Sequence, residues 1–225
     1  DPKHVPTFRE CFTHTSGLSG HGDFGGAANP YFDNVVLNGI DANSAATHYE
    51  YSGMGFDLAA KAMEIIAGKS AMHLYQDELF APLGIGDVPM TSASAGAKPT
   101  ALQLAILGQL LANHGSYGRV RMFSAATFRA LLPQNLSRYY RGVTDVEGIG
   151  MHWILPMQNG QAADPHQPHD LIFSPRTIGH GSLSACIFIV DLDKDVVITQ
   201  IRRGAGPRYG EWSTKFFQTI AREEE

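Results

Sequence analysis

Cysteine is scarce in this sequence of 225 residues. Its two cysteines, Cys11 and Cys186, are too few for a disulfide framework, and neither lies at a metal-ligand spacing. Because each lies in an apolar run, we expect a buried, unreactive thiol at both positions. The sequence therefore does not describe a small domain held together by disulfide bonds.

Long apolar runs and an excess of positive charge are also absent. No apolar stretch reaches the roughly 18 residues that a membrane-spanning helix needs, and the formal net charge is -5 at pH 7. This balance gives no electrostatic reason to expect nucleic acid or an anionic membrane as a partner. The chain is long enough to bury a substantial core, as one large domain or two intertwined lobes.

Several catalytic motifs are missing as well. The sequence has no glycine-rich phosphate loop, no His-Glu-x-x-His run and no Gly-x-Ser-x-Gly nucleophile elbow. None of its six lysines has a serine three positions earlier, so it lacks the Ser-x-x-Lys pair that supplies the nucleophile in one class of acyl-transfer enzyme. Chemistry of that class would need a nucleophile from outside these residues.

What the sequence does contain is a helix-rich middle and a strand-rich end. Apolar periodicity predicts helices over about 7–14, 52–67, 70–80, 100–113 and after Ser124. Short β-branched or aromatic segments predict strands over 148–155, 184–191 and 195–201. A final helix over 212–222 would place Trp212 on the sheet, and the arrangement indicates an α+β fold. We expect a mainly helical lobe over about 1–140, and the strands with their closing helix over about 141–225.

Tyr51 stands at the start of the predicted 52–67 helix, in the segment Tyr51-Ser52-Gly53. A phenol has an ordinary pKa of about 10, so it serves as a base at neutral pH only where nearby positive charge lowers that pKa. The helix dipole alone is too weak for this, and a neighbouring lysine is the usual source of charge. The alternative interpretation is that Tyr51 is an aromatic residue of the core.

His180 belongs to the segment Gly179-His180-Gly181-Ser182, which is expected to open a strand. At a strand edge its imidazole could donate a hydrogen bond to a substrate oxygen or to the tyrosine. The backbone amide just past this segment could form half of an oxyanion hole. The alternative is an ordinary histidine in a turn.

Two loops contain side chains of the kind that bind metals. His166, His169 and Asp170 are crowded into a proline-containing loop, and His21 and Asp23 lie in a long glycine-rich loop. Three donors in one short loop rarely form a closed site by themselves. We therefore expect no metal site from either loop.

Four segments, taken in order, resemble the signatures of the serine beta-lactamase-like family, which contains class C beta-lactamases, penicillin-binding proteins, peptidases and esterases. The segments are Thr13-His14-Thr15-Ser16-Gly17-Leu18, Tyr51-Ser52-Gly53-Met54-Gly55-Phe56, Glu78-Leu79-Phe80-Ala81-Pro82-Leu83-Gly84-Ile85 and Gly179-His180-Gly181-Ser182. They resemble the family's Thr-His-Thr-Ser-Gly-Leu, Tyr-Ser-Asn-x-Gly-Tyr, Ile-Phe-x-Pro-Leu-Gly-Met and Gly-His-Thr-Gly patterns. The resemblance implies a beta-lactamase/transpeptidase-like α+β fold.

The resemblance also implies roles for individual residues. Tyr51 would be the catalytic base. His180 would be the counterpart of the Lys or His in the family motif that Gly179-His180-Gly181-Ser182 resembles, and the amide of Leu183 would form one half of the oxyanion hole. The nucleophilic Ser and its Lys would lie upstream of Thr13, on a missing N-terminal segment that also completes the sheet. A small-molecule or peptide substrate, no metal or organic cofactor, and a periplasmic or secreted location would follow. We expect this chain alone to form no acyl-enzyme.

Two departures affect the expected substrate-binding positions. Gly53 stands where the family usually has Asn, and Ser182 stands where it has Gly. Together with His180 in place of Lys, they make an esterase-like or peptidase-like hydrolase more compatible than a beta-lactamase. The alternative is a non-catalytic relative that binds a peptide or a cell-wall fragment.

Overall fold

A computed structural model of the protein describes residues 4–18, 48–153 and 173–223. The chain forms two compact units, each built from two separate stretches. The first unit comprises Asp1–Pro99 and Gln134–Gly150, and the second comprises Thr100–Pro133 and Met151–Glu225. The two candidate metal loops, with His21, Asp23 and the cluster from His166 to Asp170, lie outside the described residues.

The described residues form helices and short antiparallel strands, which confirms the predicted α+β class. The α-helices are α1 (Phe8–Phe12), α2 (Met54–Ala67), α3 (Ala71–Tyr75), α4 (Ala101–Ala112), α5 (Ala125–Leu131) and α6 (Tyr209–Glu223). The strands are β1 (Ser116–Tyr117), β2 (Val120–Arg121), β3 (Gln134–Asn135), β4 (Val146–Glu147), β5 (His152–Trp153), β6 (Thr177–Gly181), β7 (Ile187–Asp191) and β8 (Val196–Gln200). A π-helical turn, Gln76–Phe80, continues α3, and a 3-10 turn, Leu136–Arg138, follows β3.

Helix α1 packs closely on α2 in the first unit. The side chain of Thr7 accepts a hydrogen bond from the backbone of Glu10, whose carboxylate in turn accepts one from the backbone of Thr7. This capping box fixes the start of α1. At the contact between the helices, a Cβ on Gly55 would lie 2.5 Å from the carbonyl oxygen of Cys11. Only glycine permits this approach of the two backbones.

The second unit is built on a four-stranded antiparallel sheet in the order β5-β6-β7-β8. Its register places Ile178 opposite Val190, and both side chains are fully buried. Helix α4 packs on the sheet so closely that a Cβ on Gly108 would lie 2.3 Å from Cγ1 of Val197. Helix α6 contributes Phe217, whose ring meets Phe173 edge-on at 5.5 Å. These contacts fix strand β6, which carries Gly179, His180 and Gly181, together with its neighbours in the sheet.

Two sequence expectations about this unit are corrected. The segment Gly179–Ser182 closes strand β6 rather than opening a strand, and the next strand begins only at Ile187. Trp212 does not lie on the sheet, because its ring is 52% exposed and is covered by the cationic groups of Arg208 and Lys215. Arg208, directly before α6, and Lys215, within it, thus hold this indole at the surface.

The two cysteines differ in their surroundings. Cys11 is buried, as predicted, and burial raises the pKa of its thiol to about 11. Cys186 is only partly buried, so the expectation of a buried thiol is wrong there. Its sulfur accepts a hydrogen bond from the amide of Arg202 and donates one to the carbonyl oxygen of the same residue.

Candidate active site

Tyr51 lies between two residues that are both hydrogen-bonded to His14. The amide of Glu50 donates to the carbonyl oxygen of His14 at 2.8 Å, and the amide of Ser52 lies 3.1 Å from Nδ1 of the same imidazole. The rings of His14 and Tyr51 pack with their centroids 4.3 Å apart. The first two motif segments, 38 positions apart along the chain, are therefore joined at Tyr51.

The environment of Tyr51 works against its phenolate form. Partial burial raises the pKa of Tyr51, and the negative charge of Glu147 raises it further, although the residue is 59% exposed. The Glu147 carboxylate is buried and accepts hydrogen bonds from the hydroxyl of Tyr49 at 2.8 Å and from the amide of Gly148 at 2.9 Å. The pKa of Tyr49 is raised as well, by the burial of Tyr49 itself and by the Glu147 carboxylate. The described surroundings therefore favour a neutral phenol at position 51.

Gly53 faces the side chain of Ser94. A Cβ on Gly53 would lie 2.7 Å from Oγ of Ser94, which leaves no room there for a larger residue. Ser94 is held in place by Asp57, which accepts hydrogen bonds from the Ser94 amide at 3.2 Å and from its hydroxyl at 3.0 Å. Glycine, and not the expected Asn, fits at position 53 because Ser94 occupies the space into which an Asn side chain would extend.

His180 lies within strand β6, opposite Phe188 of β7, and is partly exposed. Its Nδ1 makes a short contact with the carbonyl oxygen of Gly181. The ring of His152, on the neighbouring strand β5, lies 4.9 Å away between centroids. Sequence reasoning did not select His152, since a single histidine in a short strand carries no motif.

Ser182 and Leu183 occupy the turn between β6 and β7. The hydroxyl of Ser182 accepts a hydrogen bond from the amide of Cys186 at 3.1 Å, and its carbonyl oxygen accepts one from the amide of Ala185 at 2.9 Å. Leu183 is fully exposed at the tip of this turn. The serine hydroxyl therefore has a definite structural role, which is to close the turn that carries the Leu183 amide.

Within residues 4–18, 48–153 and 173–223, no three His, Cys, Asp or Glu side chains are arranged to hold a metal ion. In the same ranges, every helix is too short or too polar to cross a lipid bilayer. Tyr51 and Gly53 belong to the first unit, whereas His180, Ser182 and Leu183 belong to the second.

Comparison with known proteins decides the family. The family model described as Beta-lactamase matches residues 2–207, which include all four motif segments. The chain belongs to the beta-lactamase family. No curated protein matches it significantly.

Solved structures of related proteins show the same fold. A beta-lactamase from Mycobacterium bovis is 21% identical, with a TM-score of 0.63 over 96% of this chain and 72% of that chain. Simvastatin synthase from Aspergillus terreus is 15% identical, with a TM-score of 0.66 over 97% of this chain and 68% of that one. EstCE1, a hydrolase with promiscuous acyltransferase activity, is 14% identical, with a TM-score of 0.62 over 96% and 72%. The beta-lactamase/transpeptidase-like fold expected from the motifs is therefore confirmed.

Within this beta-lactamase-family fold, three residues near the predicted positions were not selected from the sequence. They are Ser94, which lies against Gly53, Glu147, whose charge raises the pKa of Tyr51, and His152, whose ring lies beside that of His180. Each of the three lies outside the four motif segments. Each is also distant in sequence from the candidate residue that it affects. Only the folded chain brings these side chains to the candidate residues.

Proposed function

We propose that this chain carries the base and the oxyanion-binding turn of a serine hydrolase that acts on an ester or an amide through an acyl-enzyme. The observation that carries this proposal is the segment Tyr51-Ser52-Gly53, held by His14 within a beta-lactamase-family fold. The nucleophilic Ser and its Lys would come from polypeptide outside this chain. In the proposed reaction no metal or organic cofactor takes part.

The proposed reaction divides the chemistry among few groups. The serine oxygen attacks the substrate carbonyl while its proton passes to the phenolate oxygen of Tyr51, which then protonates the leaving group. The amide of Leu183 would donate to the developing oxyanion, and His180 to another substrate oxygen. Water then attacks the acyl-enzyme, with Tyr51 again accepting and returning the proton.

The raised pKa of Tyr51 sets a requirement for this reaction. Burial and Glu147 favour the neutral phenol, so an added positive charge must lower that pKa before Tyr51 acts as a base at neutral pH. The proposed Lys beside the nucleophile would supply this charge. Base catalysis by Tyr51 would then depend on the segment that carries the nucleophile.

A non-catalytic binding protein is the second candidate. The same effect of Glu147 favours it, because a neutral Tyr51 hydroxyl donates hydrogen bonds to a bound molecule without taking up a proton. Its ligand would be a peptide or a cell-wall fragment. In either case we propose a periplasmic or secreted location, and a substrate more like those of esterases or peptidases than a β-lactam.

Labelling with a serine-reactive fluorophosphonate tests the proposal. Intact masses are recorded under denaturing conditions for the 225-residue chain and for the natural polypeptide in which it occurs. We expect the natural polypeptide to gain one adduct and the chain alone to gain none. No adduct on the natural polypeptide would favour the binding protein, and an adduct on the chain alone would contradict a nucleophile from outside it.

A substitution at Tyr51 makes the same assay specific. Tyr51→Phe is expected to slow labelling of the natural polypeptide by about 10²-fold to 10⁴-fold, the usual contribution of a general base. Tyr139→Phe is the matched control, because the Tyr139 hydroxyl makes, among the described contacts, only an exposed hydrogen bond to Gln134. Equal rates for the two variants would remove Tyr51 from the mechanism.

A further inference from the structure

His14 is buried in the segment that follows α1. The residue is 5% exposed, and its neighbours Thr13 and Thr15 are also buried. The Thr13 hydroxyl donates to the carbonyl oxygen of Arg9 at 2.7 Å, and the amide of Thr15 donates to the carbonyl oxygen of Glu10 at 3.0 Å. The segment is thereby fixed to the end of α1.

The backbone of His14 adopts a left-handed conformation, with φ of 56°. Histidine and asparagine enter this region more readily than most residues do. This conformation directs the imidazole toward Ser52, where Nδ1 lies 3.1 Å from the amide nitrogen and 3.0 Å from the carbonyl oxygen. Neutral Nδ1 accepts from that amide, and a protonated Nδ1 donates to that carbonyl.

His14 contacts Tyr51 and both of its neighbours in the chain. Its carbonyl oxygen holds the amide of Glu50, its Nδ1 holds Ser52, and its ring packs on the tyrosine ring at 4.3 Å. Phe56, in the first turn of α2, closes the other side of the imidazole, with centroids 5.4 Å apart. The backbone on both sides of Tyr51 is therefore fixed by one side chain and its carbonyl group.

We infer that His14 is a positioning residue for Tyr51, acting through its hydrogen bond to Ser52 and not through proton transfer to the substrate. This inference rests on the proposed acyl-transfer function. A base must lie within about 3 Å of the proton it takes, and a misplacement of about 1 Å can cost 10²-fold in rate. Loss of the bond to Ser52 would free the backbone that sets the position of the phenol oxygen.

Two substitutions separate the hydrogen bond from the other properties of His14. His14→Asn tolerates the left-handed backbone and places an amide group at the distance of Nδ1 from Cα, so it keeps the bond to Ser52. His14→Gly also tolerates this backbone but removes both the bond and the ring. His114→Gly is the matched control, because His114 has a φ of 52° and stacks on Phe128 in the second unit.

The experiment uses the natural polypeptide and measures two rates, that of fluorophosphonate labelling and kcat on a chromogenic ester. Both rates are expressed per molecule that is labelled when the labelling reaction has gone to completion. We expect H14G to lose about 10-fold to 100-fold in both rates, H14N to stay within about fivefold of the unsubstituted protein, and H114G to remain unchanged. A purely structural role would lower the labelled fraction and leave the rate of each labelled molecule the same.

The outcomes separate the inference from the function on which it rests. Equal rates for H14G and the unsubstituted protein, or a folded H14N as slow as H14G, would overturn the positioning role alone. An unsubstituted polypeptide that takes up no label would overturn the proposed function and the inference with it. Should H14G fail to fold, H14N carries the test, because a folded H14N that labels more than about fivefold slower than the unsubstituted protein would overturn the positioning role.

Discussion

Ser94 occupies the space that a side chain on Gly53 would need. The distance from an added Cβ to Oγ of Ser94 would be 2.7 Å, shorter than real contacts of this kind. Ser94 cannot easily move away, because Asp57 binds both its amide and its hydroxyl. The identities of residues 53 and 94 are therefore coupled, although they lie on different segments.

This coupling predicts a non-additive pair of substitutions. Gly53→Ala is expected to lower the free energy of unfolding by about 1–3 kcal/mol, the usual cost of overpacking. In a Ser94→Gly background the same change should cost less, since the opposing hydroxyl is gone. Urea unfolding of the four proteins of this cycle gives the interaction energy. Strictly additive effects would show that Ser94 moves aside freely.

The contact between α1 and α2 predicts opposite effects for two helical glycines. Gly55→Ala would drive a methyl group into the carbonyl of Cys11, at 2.5 Å, and should cost about 3 kcal/mol or more or prevent folding. Gly210→Ala in α6 is the control, because nothing lies within 4 Å of its added Cβ. There the better helix propensity of alanine should stabilise the protein by up to about 1 kcal/mol. Thermal unfolding measures both changes.

Removal of the Glu147 charge is expected to lower the pKa of Tyr51. Burial raises this pKa first and the carboxylate raises it further, so Glu147→Gln leaves only the effect of burial. The Tyr51 ring should then ionise at lower pH than in the unsubstituted protein, though still above an ordinary tyrosine. NMR of labelled tyrosine rings across a pH titration, assigned with Tyr51→Phe, measures the shift. An unchanged midpoint would mean that the carboxylate does not act on Tyr51.

Asp191 is expected to make the stability of the second unit depend on acid. Burial alone would raise the pKa of this carboxyl, but hydrogen bonds from Ser174, Asp193 and Lys194 outweigh burial and lower it. Because the folded pKa lies below the unfolded one, the stabilisation is complete above the unfolded value of about 3.9 and is lost as pH falls through the folded value. The unsubstituted protein should therefore lose stability below about pH 4.

Asp191→Asn tests this dependence. At pH 7 it should lower the free energy of unfolding by about 1.5–3 kcal/mol, because an amide cannot accept all the hydrogen bonds that the carboxylate receives. The part of the acid dependence due to this group should disappear. Asp193→Asn is the control, since its pairing with Arg176 at 3.5 Å is exposed and should contribute less than about 1 kcal/mol. Equal acid sensitivity in D191N and the unsubstituted protein would contradict the assignment.

The sequence alone determined the helices whose signals are local. Helix α2 follows from apolar spacing and ends at Gly68, whose φ of 65° is the left-handed conformation that glycine favours after a helix. Ser70, Thr100 and Ser124 were expected where helices start, and each accepts a hydrogen bond from the backbone of the first turn. These features depend on residues within a few positions of one another. The order of the motif segments likewise indicated the family before any contact was known.

Tertiary structure decided which groups surround the candidate residues. Tyr49 and Glu147 are 98 positions apart and His14 and Ser52 are 38 apart, so no local pattern could join them. The raised pKa of Tyr51 follows from such packing, and it is opposite in direction to what a base needs. The resemblance of the motif segments to the family implied a base at Tyr51, but the charge and burial around a side chain depend on segments that only folding brings together.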